Sequence, residues 1–149
     1  MKVGKIQTED RLGKNDKGKA LSEAMPTKLF KETLRSGQYM GSPGNLVIIG
    51  DVHQGAEVVA YGDILVLGSL RGTAHAGAEG DERALIWALQ FQPTQVRIAD
   101  HITRPPDEEK KPGGIYPEVA FIKDGLVTIK AYPEGMMERR KFFEQIMEG

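Results

Sequence analysis

Three histidines are the residues of this chain best suited to bind a metal or to move a proton. They are His53, His75 and His101. Zinc sites use ligands at short characteristic spacings, such as two histidines one helical turn apart. These three are far apart in the sequence, and none has a second histidine or a carboxylate at such a spacing. We therefore predict that they lie at corners or on the surface and hold no metal.

Other catalytic patterns are missing as well. The sequence has no GxSxG nucleophile elbow, no GxxxxGK[ST] phosphate loop and no cysteine. The glycines of AGAEGDERA do not follow a strand as a dinucleotide-binding loop would, and the paired acids Asp81 and Glu82 read as solvated loop charges. Because an enzyme needs a nucleophile, a base or a metal, we predict a protein that is not an enzyme and binds no cofactor.

Composition narrows the class further. The 149 residues fit one domain with a small appendage, and the net charge of −1 gives no general attraction to nucleic acid. No apolar run approaches the roughly 18 residues that span a membrane, and the N-terminus lacks the apolar core of a secretory signal. The absence of cysteine fits a reducing compartment. We expect a cytoplasmic protein.

An internal repeat is the strongest structural signal. Residues 44–60 read GNLVIIGDVHQGAEVVA, and residues 62–78, eighteen positions later, read GDILVLGSLRGTAHAGA. A short fixed period indicates coils that rest on one another, and eighteen residues suit three short strands joined by tight corners. The identical pairs are Gly44 and Gly62, Gly50 and Gly68, Ala56 and Ala74, and Ala60 and Ala78.

The predicted fold is therefore all-β, a triangular β-solenoid. Left-handed hexapeptide acyltransferases also use eighteen residues per coil, with an apolar residue at every sixth position. Here that pattern fails at Gln54, between Ile48 and Ala60, which disfavours this class of enzyme. The predicted strands are 46–49, 57–60, 64–67, 73–76, 84–91, 95–98, 119–122 and 126–130.

Three features end the repeat region. Residues 104–117 are rich in proline, glycine and charge and predict a loop. Asp124–Gly125 between two strands predicts a hairpin that could cap the last coil. Residues 133–148 predict a short C-terminal helix whose apolar face, with Met136, Phe143 and Met147, docks on the domain itself or contacts a partner or a membrane.

Both faces of two predicted strands are apolar. Alternate residues point to opposite sides of a strand, so Leu46, Ile48, Ile64 and Val66 would fill the interior. Burying the four outward residues is worth roughly 6–12 kcal/mol at about 1.5–3 kcal/mol each, so we expect something to cover them. A second copy about a two-fold axis is the predicted cover, and the C-terminal helix is the alternative. The predicted dimer interface is Val47, Ile49, Leu65 and Leu67.

Several motifs together resemble a known family. LRSGQ at 34–38, GDV followed by GAE at 50–57, and LRG followed by AHAGA at 70–78 are similar to the C-terminal domain of the septum-site determining protein MinC. QPTQVRIAD at 92–100 matches too. The resemblance covers about residues 33–130 and implies a right-handed β-helix of triangular section that dimerises through one apolar face.

The resemblance also implies partners. Proteins of this kind bind MinD, an ATPase at the inner membrane face, and help to keep FtsZ from forming a misplaced division ring. Membrane attachment would then be indirect, through MinD. Only 33 residues precede LRSGQ, fewer than the family's N-terminal FtsZ antagonist needs, so direct contact with FtsZ is expected to be weak at most. By motif match, the implied MinD-binding residues are Arg35, Ser36, Gly37, Gln38, Gly55, Glu57, Gly62 and Gly72.

The predicted organisation has three parts. Residues 1–33 form a flexible basic leader or linker, 34–132 the solenoid domain, and 133–149 the C-terminal helix. An alternative function from another class is a self-assembling scaffold of the bactofilin kind, in which solenoids stack end to end. The predicted hairpin cap argues against that alternative.

Overall fold

The computed structural model describes residues 25–105 and 114–148. The predicted leader at 1–24 and the middle of the predicted loop, 106–113, lie outside the described residues. Within the described ranges the chain forms short strands followed by one helix. The strands are β1 (Thr27–Phe30), β2 (Tyr39–Ser42), β3 (Asn45–Ile48), β4 (Glu57–Ala60), β5 (Ile64–Leu70), β6 (Thr73–Ala76), β7 (Ile86–Phe91), β8 (Gln95–Ile98), β9 (His101–Thr103), β10 (Glu118–Lys123) and β11 (Leu126–Ala131), and the helix is α1 (Glu134–Glu148).

Successive coils stack in parallel on three sides. β1, β3, β5 and β7 form the first sheet, and β2, β4, β6 and β8 form the second. The third side is made by single parallel bridges that link Leu34 to Val52 and Val52 to Leu70. This is the predicted triangular β-solenoid, followed by the predicted C-terminal helix.

The interior is apolar and closed to solvent. Leu46, Ile48, Ile64 and Val66 are fully buried, which confirms the predicted inward set. The second sheet and the third side supply their inward residues to the same core. These are Val58, Ala74 and Val96 from the second sheet, and Leu34, Val52 and Leu70 from the third side.

Between the two segments of the repeat, residues 44–60 and 62–78, the eighteen-residue period holds on two sides of the triangle but not on the second sheet. Leu46 pairs with Ile64 and Val52 with Leu70, as the period requires. Val58, however, pairs with Ala74 rather than Ala76. The preceding corner is shorter in this coil, because only residues 71–72 link the bridge to β6, where residues 53–56 link it to β4. Ala56 and Ala74 are therefore not stacked neighbours, whereas the Ala78 N–H donates to Ala60 O at 3.0 Å and brings the second alanine pair together.

The glycine pairs do stack. The Gly62 N–H donates to Gly44 O at 2.9 Å. A Cβ atom added at Gly68 would lie 2.1 Å from Gly50 O. Backbone of one coil thus passes directly against backbone of the next, and a side chain at Gly68 would hold the coils apart.

A ladder of polar side chains ties the coils together at the edge that leads into the first sheet. Asn45 Nδ2 donates to Thr27 Oγ1 at 3.3 Å, and Asn45 Oδ1 accepts from the Asp63 N–H at 2.8 Å. Asp63 Oδ1 in turn accepts from the Leu85 N–H at 2.9 Å. Burial raises the pKa of Asp63, although this hydrogen bond and the Arg139 charge act in the opposite direction.

The predicted hairpin caps the last coil. β10 and β11 pair in antiparallel fashion around Asp124 (φ 54°) and Gly125 (φ 76°), the left-handed pair of a two-residue hairpin turn. β10 also pairs with β7, which places the hairpin at the end of the first sheet. Antiparallel β9 ends the second sheet in the same way. These strands occupy the end at which bactofilin-like stacking would have to occur.

Strands β2 and β9 are additions to the predicted set, whereas β1 lies in residues 25–34, whose sequence predicts a turn or a short strand that leads into the core. β1 pairs with β3, so the first sheet begins at Thr27, ahead of the predicted domain start at residue 34. The β2 sequence YMGS carries no alternating apolar pattern, and β9 has three residues, so neither gives a strand signal of its own.

The helix docks on the outer face of the hairpin. Gly135 is buried, with room for no Cβ because Val119 Cγ1 would lie 2.6 Å away. Met136 packs against a cluster formed by Leu85, Val119 and Phe121. Glu138 accepts from Lys123 Nζ at 2.7 Å, which lowers the pKa of Glu138 and raises that of Lys123. Docking on the domain itself, one of the two predicted roles, is confirmed for this part of the helix.

A second latch lies further along the helix. Arg139 donates to the carbonyl of Arg83, and both guanidinium groups lie over the ring of Phe143, at 4.9 and 5.0 Å from its centroid. Burial lowers the pKa of Arg139. In the part of the chain that the structure describes, no helix is long and apolar enough to cross a membrane.

Candidate partner-binding edge

The motif RSGQ forms a tight turn at the corner between the third side and the second sheet. The Gln38 N–H donates to Arg35 O at 2.9 Å, and Gly37 stands at the third position with φ 87°. This is the geometry of a type II turn, which requires a positive φ at that position. Gln38 Oε1 also accepts from the Arg35 N–H at 2.7 Å, so the turn is closed twice.

An identical turn lies directly on the next coil. The Ala56 N–H donates to His53 O at 2.9 Å, and Gly55 has φ 90°. The Gly37 N–H donates to Gly55 O at 2.9 Å and joins the two turns. A Cβ atom at Gly55 would lie 2.3 Å from Ser36 Oγ. The glycine therefore lets the RSGQ turn rest on its neighbour.

The third coil makes a shorter corner beneath these turns. Gly72 is buried, and a Cβ atom there would lie 2.4 Å from Ala56 O and 2.6 Å from His53 O. Gly72 thus supports the second turn from below rather than facing solvent. Glu57, in contrast, is exposed at the start of β4, where it pairs with Tyr39 on one side and Thr73 on the other.

We call this surface the turn edge, defined by residues 35–38, 53–57 and 71–72. It brings together every residue of the predicted MinD site except Gly62. Gly62 lies at a different corner, between the second and first sheets, where it is buried and a Cβ atom would meet Asn45 Oδ1 at 2.2 Å. Its glycine makes room for the polar ladder, which is a structural reason for its presence in the motif.

The turn edge also holds two basic residues that the motif match missed. Arg35, His53 and Arg71 directly follow Leu34, Val52 and Leu70, which stack through the bridges of the third side. Adjacent members of this basic column are therefore separated by about one strand spacing, roughly 4.8 Å. Arg35 and Arg71 are exposed. The eighteen-residue period alone, applied to Arg35, would have identified the column.

Asp51, which directly precedes Val52 of the third side, is already hydrogen-bonded. Asp51 Oδ1 accepts from the Ser69 N–H at 2.8 Å, and the Asp51 N–H donates to Thr33 Oγ1 at 3.2 Å. Arg35, Arg71 and Glu57 are left as the exposed charges of the turn edge. Residues 25–105 and 114–148 contain no cluster of histidine and carboxylate side chains that could hold a metal.

The outer face of the first sheet carries the predicted apolar ladder. Ile49 and Leu67 are 44% and 41% exposed, and Val47 and Leu65 are half-buried, so all four face outward as predicted. Leu29 extends the row at one end and is 52% exposed. At the other end the helix covers Val119 and Phe121, which are fully buried. The helix therefore covers one end of this face and leaves the remainder bare.

The sequence and fold of this chain were compared with those of known proteins. Residues 28–132 match the family described as septum formation inhibitor MinC, C-terminal domain. The chain belongs to this family. The match confirms the resemblance carried by the RSGQ, GAE and AHAGA motifs, and it ends just before α1.

Individual MinC proteins show the extent of the similarity. The probable septum site-determining protein MinC of Acetivibrio thermocellus is 57% identical over 114 residues, which are 76% of this chain and 50% of that protein. The MinC of Persephonella marina is 45% identical over 128 residues, 86% of this chain and 63% of that protein. This chain thus spans about half to two-thirds of the length of these relatives.

A solved structure is similar as well. A chain of the MinC:MinD cell division protein complex of Aquifex aeolicus superposes with a TM-score of 0.67 at 34% sequence identity. The superposition covers 76% of this chain and 93% of that one. The MinC-type solenoid is therefore nearly the whole of the Aquifex chain, whereas this chain has additional residues.

Proposed function

We propose that this chain acts in septum-site determination by binding MinD through the turn edge. The observation that carries the proposal is the pair of stacked type II turns, which hold Arg35 exposed and fixed at both ends of its turn. The turn fixes the backbone of Arg35, and its exposed guanidinium can form a forked pair with a carboxylate on a partner. The Aquifex MinC that this chain resembles comes from a complex with MinD.

The column Arg35–His53–Arg71 indicates the chemistry of the partner surface. Two exposed arginines whose backbones are about 10 Å apart along the coil stack favour an acidic strip on the partner. Gly37 faces open space, because a Cβ atom placed there would have no heavy atom within 4 Å, so backbone of the partner could approach closely. Binding to MinD would bring this chain to the membrane indirectly.

Charge reversal tests this site. Arg35→Glu is expected to abolish capture by immobilised MinD in the presence of ATP, while the melting temperature stays near that of the wild type. Lys31→Glu is the charge-matched control, because Lys31 is also exposed and lies at another corner. The comparison is repeated with ADP. Undiminished capture of Arg35→Glu, or equal loss in both variants, would refute the placement of the site.

We further propose that the bare part of the outer face forms a homodimer. Leu29, Val47 and Leu65 form an outward apolar row through the strand pairing, and the exposed Ile49 and Leu67 lie two residues beyond Val47 and Leu65 on the same face. Burial of such side chains against a second copy is favourable. Ile49→Lys is expected to give monomers in sedimentation, whereas Ile102→Lys, at a similarly exposed position on the second sheet, should leave the dimer intact. A wild-type protein that sediments as a monomer would contradict this.

We expect this chain to have little direct effect on FtsZ assembly. The family match covers only the C-terminal domain of MinC, so we propose that any effect on FtsZ assembly depends on MinD. Light scattering of FtsZ polymers with this chain alone should show little change, and addition of MinD with ATP should increase the effect. Strong inhibition by the chain alone would contradict this expectation.

A further inference from the structure

The C-terminal helix forms a ridge across the full width of the outer face. Its first turn lies over Val119 and Lys130, near the start of β10 and the end of β11. Its last turns lie beside Glu82, Ile122 and Gly125, where the hairpin turns. The helix therefore runs along the hairpin strands. With side chains it is about 10–12 Å thick, and it stands above the sheet by about that height.

The bare part of the face lies entirely on one side of this ridge. Its central row is Leu29, Val47, Leu65 and Trp87, which are neighbours through the pairing of β1, β3, β5 and β7. Three strand spacings of about 4.8 Å give this row a length of about 14 Å. A dimer must bury this row without collision between the two ridges.

Two face-to-face arrangements have two-fold symmetry along the principal directions of the sheet. If the axis runs along the coil stack, equal ends meet, and the two ridges lie on top of one another. The sheets would then stand about 20 Å apart, twice the roughly 10 Å at which sheets pack. If the axis runs along the strands, the coil stacks point in opposite directions. Each ridge then passes beside the first coil of the other copy, and the bare rows meet.

We infer that two copies meet with opposed coil stacks, so that the helix of each lies beside strand β1 of the other. This inference rests on the homodimer proposed above. Leu29 then faces the Trp87 of the second copy, and Val47 faces its Leu65. The end of the second copy enters a groove of about 730 Å³ on the β7 side of the helix, where Tyr132, Met136 and Phe143 provide apolar contacts.

The groove has the right neighbours for this role. The rings of Tyr132 and Trp87 meet edge to face at 5.9 Å between centroids, so the groove continues directly into the bare row. Tyr132 is 48% exposed and Leu29 is 52% exposed, and each would be covered by the other copy. The family match ends at residue 132, so the helix lies outside the matched domain, and its position limits how two copies can be arranged.

Cysteine cross-linking tests the arrangement directly, because the chain has no cysteine of its own. Leu29→Cys chains are mixed with Trp87→Cys chains that carry a larger tag, and a bismaleimide reagent that spans about 10 Å is added. Facing sheets lie about 10 Å apart, beyond the reach of a disulfide, so this reagent joins directly facing positions, and opposed stacks should give the mixed product. Leu29→Cys alone should give none, since its two copies are far apart. Ile102→Cys, on the second sheet, is the control.

The outcomes separate the two proposals. Sedimentation of the same samples before cross-linking reports whether a dimer forms. Monomers would overturn the homodimer and the orientation together. A dimer in which Leu29→Cys links to itself, or in which the mixed product is absent, would overturn the orientation and leave the homodimer in place. Circular dichroism of each variant verifies that the substituted chains are folded.

Discussion

Gly37 and Gly55 offer a matched test of what holds the turn edge in place. Both occupy the third position of a type II turn, with φ of 87° and 90°. They differ in their surroundings, because a Cβ atom at Gly37 would have no heavy atom within 4 Å, whereas one at Gly55 would lie 2.3 Å from Ser36 Oγ. Alanine at these two sites thus meets the same backbone strain and different steric conditions.

The magnitudes follow from those conditions. A left-handed backbone costs an alanine roughly 1–2 kcal/mol, and the stiffer unfolded chain returns about 0.4–1 kcal/mol. Gly37→Ala should therefore destabilise by about 1 kcal/mol. At Gly55, Ser36 Cβ and Cα would still be 3.1 and 3.3 Å away after its hydroxyl rotates, so the turn itself must shift. Overpacking of this kind adds about 1–3 kcal/mol.

Urea unfolding at one fixed protein concentration measures the difference, with the fluorescence of Trp87, the single tryptophan, as the signal. We expect Gly55→Ala to lose more unfolding free energy than Gly37→Ala. Ser36→Gly should rescue Gly55→Ala, because it removes the hydroxyl and Cβ that the new methyl group meets. Equal losses at the two glycines, or no rescue by Ser36→Gly, would refute the stacking of turns as the cause.

Two further predictions concern the buried ring beneath the helix and the buried carboxyl group of the polar ladder. Phe121→Ala should destabilise by about 3–5 kcal/mol in urea unfolding, because this fully buried ring carries the helix-covered cluster, and a loss below about 1 kcal/mol would contradict that packing. Since burial raises the folded-state pKa of Asp63 above its ordinary 3.8, its contribution to stability is present at low pH and is lost as pH rises through the folded pKa. Asp63→Asn keeps an acceptor for the Leu85 N–H, so it should be more stable than the wild type at neutral pH, with the advantage vanishing as pH falls towards 3.8. A variant that is less stable at neutral pH would reverse this sign.

Much of the fold follows from residue pattern. The apolar blocks at 46–49 and 64–67 and the glycines that precede them predict both the stacking and the inward set, because interior packing and backbone contact between coils act at every repeat. Asp124–Gly125 predicts the hairpin because few other dipeptides accept two left-handed positions. The apolar blocks and the turn dipeptide act through neighbouring residues in the sequence, so they can be recognised from the sequence alone.

Other features depend on neighbouring coils and leave no local signal. The corner at 71–72 is short because Gly72 fits beneath the carbonyls of the turn above. Ala74 therefore pairs with Val58, and the eighteen-residue match between Ala56 and Ala74 does not give the strand register on the second sheet. Gly62 matched a binding motif, yet its surroundings show that it accommodates Asn45. The basic residues His53 and Arg71 could have been found by the period, whereas the extent to which the helix covers the outer face depends on a docking that no repeat encodes.

The ladder through Thr27, Asn45 and Asp63 makes the solenoid modular. Each of these hydrogen bonds joins one coil to the next. Asn45 donates to Thr27 of the preceding coil and accepts from the backbone of Asp63 in the following one, and Asp63 accepts from the backbone of Leu85. None of these bonds depends on the total number of coils. A second copy of residues 45–62 inserted after Gly62 would place one asparagine above another and continue the series. Such an extended protein would gain one more turn on its binding edge and a wider apolar side, so the size of both surfaces could be varied in whole-coil steps.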